Sequence, residues 1–187
     1  MKGYEVIDRE VLWEGRFLRA LSLIYRDPSG NIRNWEAIER VNCKGIVAVV
    51  PITEDGHVLL IRQFRPPVNG YVIEFPAGLN DRDETLEAVA QRELLEETGY
   101  RAKEIKFLGR GPLSSGSSVE VLTVYVAWGL EFEGLGERDE TEEIEVIKVP
   151  LYSVWDKLKE LEEKGDFIDL KIPGFIVMAT KKLSLDL

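Results

Sequence analysis

The run Gly45-Ile-Val-Ala-Val-Val-Pro-Ile52 constrains the fold more than any other segment. It is apolar at every position after the glycine, the pattern of a strand buried on both faces rather than one alternating between core and water. Such a strand needs other structure packed on each side of it. A turn at Asp55-Gly56 follows, and Val58 to Arg65 reads as a second strand ended by Pro66-Pro67. Asn69-Gly70 marks another turn, and Tyr71 to Pro76 is extended. Thr85 to Thr98 reads as a helix closed by Gly99, where a left-handed residue is needed. Lys106 to Leu108, Val119 to Leu130 and Ile144 to Val149 add strands. Residues 151–163 set Leu151, Val154, Trp155, Leu158 and Leu161 on one helical stripe, and a last helix includes Phe175 to Leu183.

Ahead of this block lie three shorter strands, Tyr4 to Trp13, Phe17 to Tyr25 and Asn31 to Val41, with a type I turn signal at Asp27-Pro28-Ser29-Gly30. Three strands without a helix bury little alone, so they must lie against the rest of the chain or a second subunit. An aromatic on such a strand is most often core, and Phe17 is read that way. The order of elements predicts an α/β or α+β sandwich.

Charge narrows the function. Thirty-four carboxylates face 24 lysines and arginines, a formal charge of −10 at pH 7. That balance excludes nonspecific nucleic-acid binding, which needs cations to neutralise phosphates, and disfavours docking on an anionic membrane. An anionic substrate requires imported positive charge, which points to a divalent metal. The single histidine, His57, sits in the turn Glu54-Asp55-Gly56-His57 and excludes sites built on two imidazoles. The single cysteine, Cys43, has no internal partner and suits a reducing compartment. No apolar leader opens the sequence and no stretch approaches ~18 apolar residues. The expectation is a cytoplasmic protein.

The helix at 85–98 carries the chemistry. At ~100° per residue, Leu86, Val89 and Ala90 share one face, and Glu93, Glu96 and Glu97 continue it. Carboxylates three and four apart repel by a few tenths of a kcal/mol per pair on an exposed helix, and by more when half-buried. A hard divalent cation between them, Mg²⁺ or Mn²⁺, removes that cost. The other reading is a solvated charge run with Arg92 paired to Glu96.

The surrounding residues separate the two. Gly78 to Tyr100 matches the Nudix box, G-x5-E-x7-R-E-U-x-E-E-x-G-U with U a bulky apolar residue, at Gly78, Glu84, Arg92, Glu93, Glu96, Glu97 and Gly99. Tyr100 is aromatic at the final U. Upstream, Arg62-Gln63-Phe64-Arg65-Pro66-Pro67 and Glu74-Phe75-Pro76-Ala77-Gly78 resemble the same segments of the ADP-ribose and ADP-sugar pyrophosphatases within the Nudix superfamily. The resemblance runs from about residue 16 to 150. It implies a Nudix α/β/α sandwich with a mixed sheet at 43–187. A small N-terminal antiparallel sheet at 1–42 precedes it and serves dimerisation and nucleotide binding in a homodimer.

Carried over by position, the resemblance makes Glu93 and Glu97 the principal metal ligands, with Glu96 assisting and the Ala77 carbonyl completing the site. Glu84 and Arg92 hold the box loop and helix in place. Glu142, in the acidic loop 131–143, falls where the subfamily carries a glutamate near the attacking water, although Asp139, Glu140 and Glu143 are beside it. Trp35 falls where a tryptophan stacks on adenine, Glu36 where a side chain accepts from the base, and Arg40 and Arg65 suit phosphate oxygens. The loop Leu113 to Glu120 departs from the bacterial ADP-ribose enzymes' Ser-Pro-Gly pattern, with Ser115 where the proline stands. A serine-rich loop lacking that proline is expected to be mobile. The implied reaction is metal-dependent hydrolysis of ADP-ribose to AMP and ribose 5-phosphate. A broader nucleoside diphosphate-sugar pyrophosphatase, accepting ADP-sugars or GDP-mannose, is the alternative, and a non-cleaving ADP-ribose sensor is a further one.

Overall fold

A computed structural model describes residues 3–134 and 143–185. The chain opens with β1 (Glu5–Glu14), β2 (Leu18–Arg26) and β3 (Ile32–Arg40), an antiparallel sheet in the order β1-β2-β3. The β2–β3 turn closes as its sequence predicts. The Asp27 carboxylate accepts from the Ser29 and Asn31 N–H groups, and the Gly30 N–H donates to the Asp27 carbonyl.

The body begins with β4 (Ile46–Pro51), β5 (His57–Arg65), β6 (Gly70–Glu74) and β7 (Ala77–Leu79). Helix α1 (Leu86–Thr98) follows, then β8 (Tyr100–Pro112), β9 (Val121–Phe132), β10 (Ile144–Pro150), α2 (Val154–Glu163), β11 (Phe167–Ile168) and α3 (Ile172–Leu183). Two four-stranded sheets result, β7-β4-β9-β8 and β10-β5-β6-β11. The first is mixed, because β4 runs parallel to β9 and antiparallel to β7.

Every residue of β4 is buried, and alternate side chains serve different cores. Val47 and Val49 meet Val89, Ala90 and Leu94 of α1. Ile46, Ala48 and Val50 join the larger core, with β5, β9, α2 and α3. The sheet is therefore covered on both sides, as its apolar run requires.

Several local expectations are corrected. The strand expected at 106–108 extends over 100–112, because β8 pairs with β9 along nearly its whole length. The last helix includes 175–183 as expected and begins at Ile172, with Pro173 in its first turn where a missing N–H costs nothing. The two-residue β11 has no counterpart in the sequence pattern. Trp155 is 42% exposed, unlike the buried Leu151, Val154, Leu158 and Leu161. Phe17 is 67% exposed rather than core, with the Arg16 guanidinium 4.9 Å from its ring. Single-chain packing leaves Val11, Leu12, Trp13, Ile32 and Trp35 of the same small sheet exposed as well.

Candidate active site

Thr85 starts α1 by accepting the Ala88 N–H on its hydroxyl, and Gly99 ends it at φ +79°. These caps fix the phase of the helix, and the apolar stripe turned toward β4 sets the direction of the three glutamates. Glu97 is 8% exposed, and its Oε2 accepts the Ala77 N–H at 2.9 Å. Glu93 is pressed against the Gly78 backbone: a Cβ at Gly78 would lie 1.9 Å from the Glu93 carboxyl carbon. Glu96 is the outermost of the three.

Arg92 lies among these acids. Its Nη1 donates to Glu93 (2.7 Å) and Glu96 (3.0 Å), its Nε to Glu84 (3.2 Å) and its Nη2 to the Leu79 carbonyl (3.3 Å). Burial works against the guanidinium charge, but Glu93 and Glu96 outweigh it and hold Arg92 above its ordinary pKa. The Glu84–Arg92 pair thus ties the loop before α1 to the helix, with Asn80 adding a bond from its side-chain amide to the Glu84 carbonyl (2.8 Å).

Glu93, Glu97, Ala77 and Gly78 border a cavity of about 370 Å³ whose other walls include Arg40, Arg65, Gln63 and Arg92. Arg65 is held by Glu74 at 2.6 Å. A second cavity of about 600 Å³ shares Arg40, Ile46, Arg65 and Ala77 with the first and continues over Phe75, Leu122 and Phe175. Carboxylates and guanidiniums around one polar space suit a substrate carrying phosphates.

The donors Glu93, Glu96, Glu97 and the Ala77 carbonyl are all oxygen, a set that fits a hard divalent cation. The three glutamates span just over one turn of α1, and Ala77 stands on β7. Among the described residues, no three Asp, Glu, His or Cys side chains are gathered closely enough to enclose an ion.

The structure brings Arg40, Arg65, Ala77, Arg92, Glu93 and Glu97 to one cavity. It does not bring Trp35 or Glu36 there within a single chain. Trp35 is half-exposed and donates its indole N–H to the Gly116 carbonyl (2.9 Å). Glu142 lies outside the described residues. The serine-rich loop is bonded to β3, and internally by the Ser117 and Ser118 N–H groups to the Ser114 carbonyl. Two features escaped sequence reading: the acid Glu74 that restrains Arg65, and Glu120 beside Arg40 (3.2 Å). Glu74 stands opposite Ile61 on the β5–β6 ladder, and its side chain reaches Arg65 four residues along β5, a contact no local sequence pattern encodes.

A mixed sheet backed by a helix whose buried carboxylates face a phosphate-sized polar cavity defines a class of hydrolase. Residues 44–172 match the NUDIX domain model, and the chain belongs to the Nudix family of hydrolases. It is 33% identical over 167 residues to the ADP-ribose pyrophosphatase of Bacillus subtilis, covering 88% of this chain and 87% of that protein. It is 39% identical over 106 residues to the mouse ADP-sugar pyrophosphatase, covering 52% of this chain and 49% of that one. The fold is similar to a crystal structure of an ADP compounds hydrolase, at a TM-score of 0.80 over 98% of this chain and 96% of that one, with 24% identity. Among the described residues no helix is long and apolar enough to cross a membrane.

Proposed function

We propose that this protein hydrolyses the pyrophosphate bond of ADP-ribose, giving AMP and ribose 5-phosphate. The observation that carries this reading is the single cavity bordered by Glu93, Glu97, Arg40, Arg65 and Arg92. The names of the relatives supply the choice of an adenosine diphosphate over other diphosphates.

Glu93, Glu96 and Glu97, with the Ala77 carbonyl, would hold Mg²⁺ or Mn²⁺. A bound divalent ion supplies neutralisation of the pyrophosphate charge and a lowered pKa for water. The chain's own groups do the rest. Arg40 and Arg65 bind phosphate oxygens, for which a guanidinium fork is well shaped. The Ala77 N–H fixes one oxygen of Glu97, which leaves that carboxylate little rotational freedom. Arg92, donating from one nitrogen to both, offsets the repulsion of Glu93 and Glu96 and orients them. Glu142 or a glutamate of the box accepts the proton as water attacks phosphorus, and the bridging P–O bond breaks, its oxygen leaving on the other phosphate.

Residues 1–42 form the dimerisation and nucleotide-binding part and 43–187 the hydrolase domain of a cytoplasmic homodimer. Trp35 and Glu36, remote from their own chain's cavity, would then hold adenine in the partner's site. The exposed apolar residues of the small sheet support this assembly. A screen of ADP-ribose, ADP-glucose and GDP-mannose with Mg²⁺ or Mn²⁺, resolving products, tests the reading. The expected result is ADP-ribose cleaved best, with ADP-glucose at about a tenth to a hundredth of its kcat/KM, roughly 1.4 to 2.7 kcal/mol in transition-state binding. A preference for GDP-mannose would move the assignment to a broader nucleotide-sugar pyrophosphatase.

A further inference from the structure

Arg40 ends β3, and its side chain borders both cavities. What restrains it comes from elsewhere in the chain. The turn at 114–119 lies along β3: the Ile38 N–H donates to the Ser117 carbonyl (2.8 Å), the Val119 N–H donates to the Ile38 carbonyl (3.2 Å), and Ile38 and Ser118 form a parallel bridge. The Trp35 indole adds its bond to Gly116.

Parallel partners advance together along both chains. The register of Ile38 with Ser118 therefore carries Arg40 to Glu120, and there Nε and Oε1 lie 3.2 Å apart. The Glu120 side chain is only 13% exposed. Both atoms are buried, yet among the described residues neither makes an aligned hydrogen bond. Burying a carboxylate oxygen and a guanidinium N–H costs desolvation, which a misaligned ion pair at this distance offsets only in part. Glu39, next to Arg40 in sequence, is engaged by Arg9 and Arg19.

We propose that Glu120 is a positioning residue for Arg40. It draws the guanidinium by charge to the wall of the catalytic cavity without occupying it in a tight hydrogen bond, so that entering phosphate oxygens meet a cation already in place. The serine-rich turn is the bracket that carries Glu120 to this position. This inference rests on the reading of Arg40 as a phosphate ligand.

Because phosphate is common to all nucleoside diphosphate substrates, loss of Glu120 should weaken binding whatever the distal group. Steady-state kinetics on Glu120→Gln, Glu120→Asp, Arg40→Ala and the Arg40→Ala/Glu120→Gln double variant test this, with ADP-ribose and ADP-glucose as substrates. Calorimetric titration with ADP gives a readout independent of turnover, and a thermal melt checks folding. Glu120→Gln should raise KM for both substrates and Kd for ADP by about five- to tenfold, with kcat within twofold, the signature of lost ground-state binding. Glu120→Asp should recover part of the loss, and Glu120→Gln should add nothing in the Arg40→Ala background. A raised KM in Arg40→Ala beside a normal or lowered KM in folded Glu120→Gln overturns the positioning role alone. Effects that add in full in the double variant overturn it too. A normal KM in Arg40→Ala fails the phosphate assignment itself and this inference with it.

Discussion

At the scale of single residues, the site depends on how closely Gly78 and Ala77 approach two carboxylates. Glu97 accepts a backbone N–H on one oxygen, so Glu97→Gln keeps the volume but removes the charge and presents a donor in its place. We expect kcat to fall more than tenfold, above about 1.4 kcal/mol of barrier, with the melting temperature close to wild type. Retained turnover in that variant sinks the metal-ligand role. Gly78→Ala has a different cause and a similar effect. Its Cβ would fall on the Glu93 carboxylate, which Arg92 prevents from moving freely. A tenfold or greater loss of kcat and about 1–3 kcal/mol of stability, read by denaturant titration, should follow. The glutamates were legible in sequence because their spacing continues an apolar stripe of one helix. Glu120 was not, since its place beside Arg40 arises from a bridge between positions 38 and 118, and no local pattern encodes that. Phe17 was misread for a related reason: apolar character predicts burial somewhere, and a three-stranded sheet alone does not supply it.

The elements divide by how local their causes are. Helix α1 is announced by Thr85 and Gly99, and both caps are present. Thr85→Ala should cost about 1 kcal/mol of unfolding free energy, and since α1 carries the glutamates, turnover should need more Mg²⁺ than in the wild type, beside a melting temperature lowered by a few degrees. Strand β8 was read as three residues because Arg101, Lys103, Glu104 and Lys106 interrupt any apolar alternation. Its pairing is set by β9, with Lys103 against Glu131 (2.6 Å) and Lys106 over the Trp128 ring (4.6 Å). The short β11 is placed by Asp166 just ahead of it, whose carboxylate takes two hydrogen bonds from Arg62 on β5, both 2.9 Å, while Arg62 stacks on Tyr71. Asp166→Asn leaves that guanidinium half-paired and should destabilise by about 1.5–3 kcal/mol. An unchanged denaturation midpoint would show that the pair contributes little beyond geometry.

For the whole molecule, acid should loosen the exposed turns that carry paired carboxylates before it reaches the core. The Asp55 carboxyl is held well below the usual carboxylate range, chiefly by the Lys148 ammonium at 2.8 Å and then by the Thr53 hydroxyl. Asp27 is likewise lowered, chiefly by the Asn31 side chain. A depressed folded-state pKa contributes stability above the unfolded value, and that stability is lost as pH falls toward the folded one. Melting temperature should therefore be flat near neutrality and decline below about pH 4, and Asp55→Asn should blunt the decline. Assembly is checked separately: sedimentation at micromolar concentration should show a dimer, and Trp13→Glu, on the exposed face, should yield monomers. Mixed dimers of Trp35→Ala and Glu97→Gln chains should recover activity, because one composite site escapes both lesions. The parallel pairing of β4 with β9 bears on how the chain reaches this state. Ile46 lies opposite Leu122, so most of the domain must be threaded between them before the central ladder can close. Such non-local closure slows folding, and the hairpins β5–β6 and β8–β9 have the shorter search. Refolding should accordingly show early protection of β8 and β9 amides from hydrogen exchange and late protection of β4, with hydrolytic activity returning only on the slower phase.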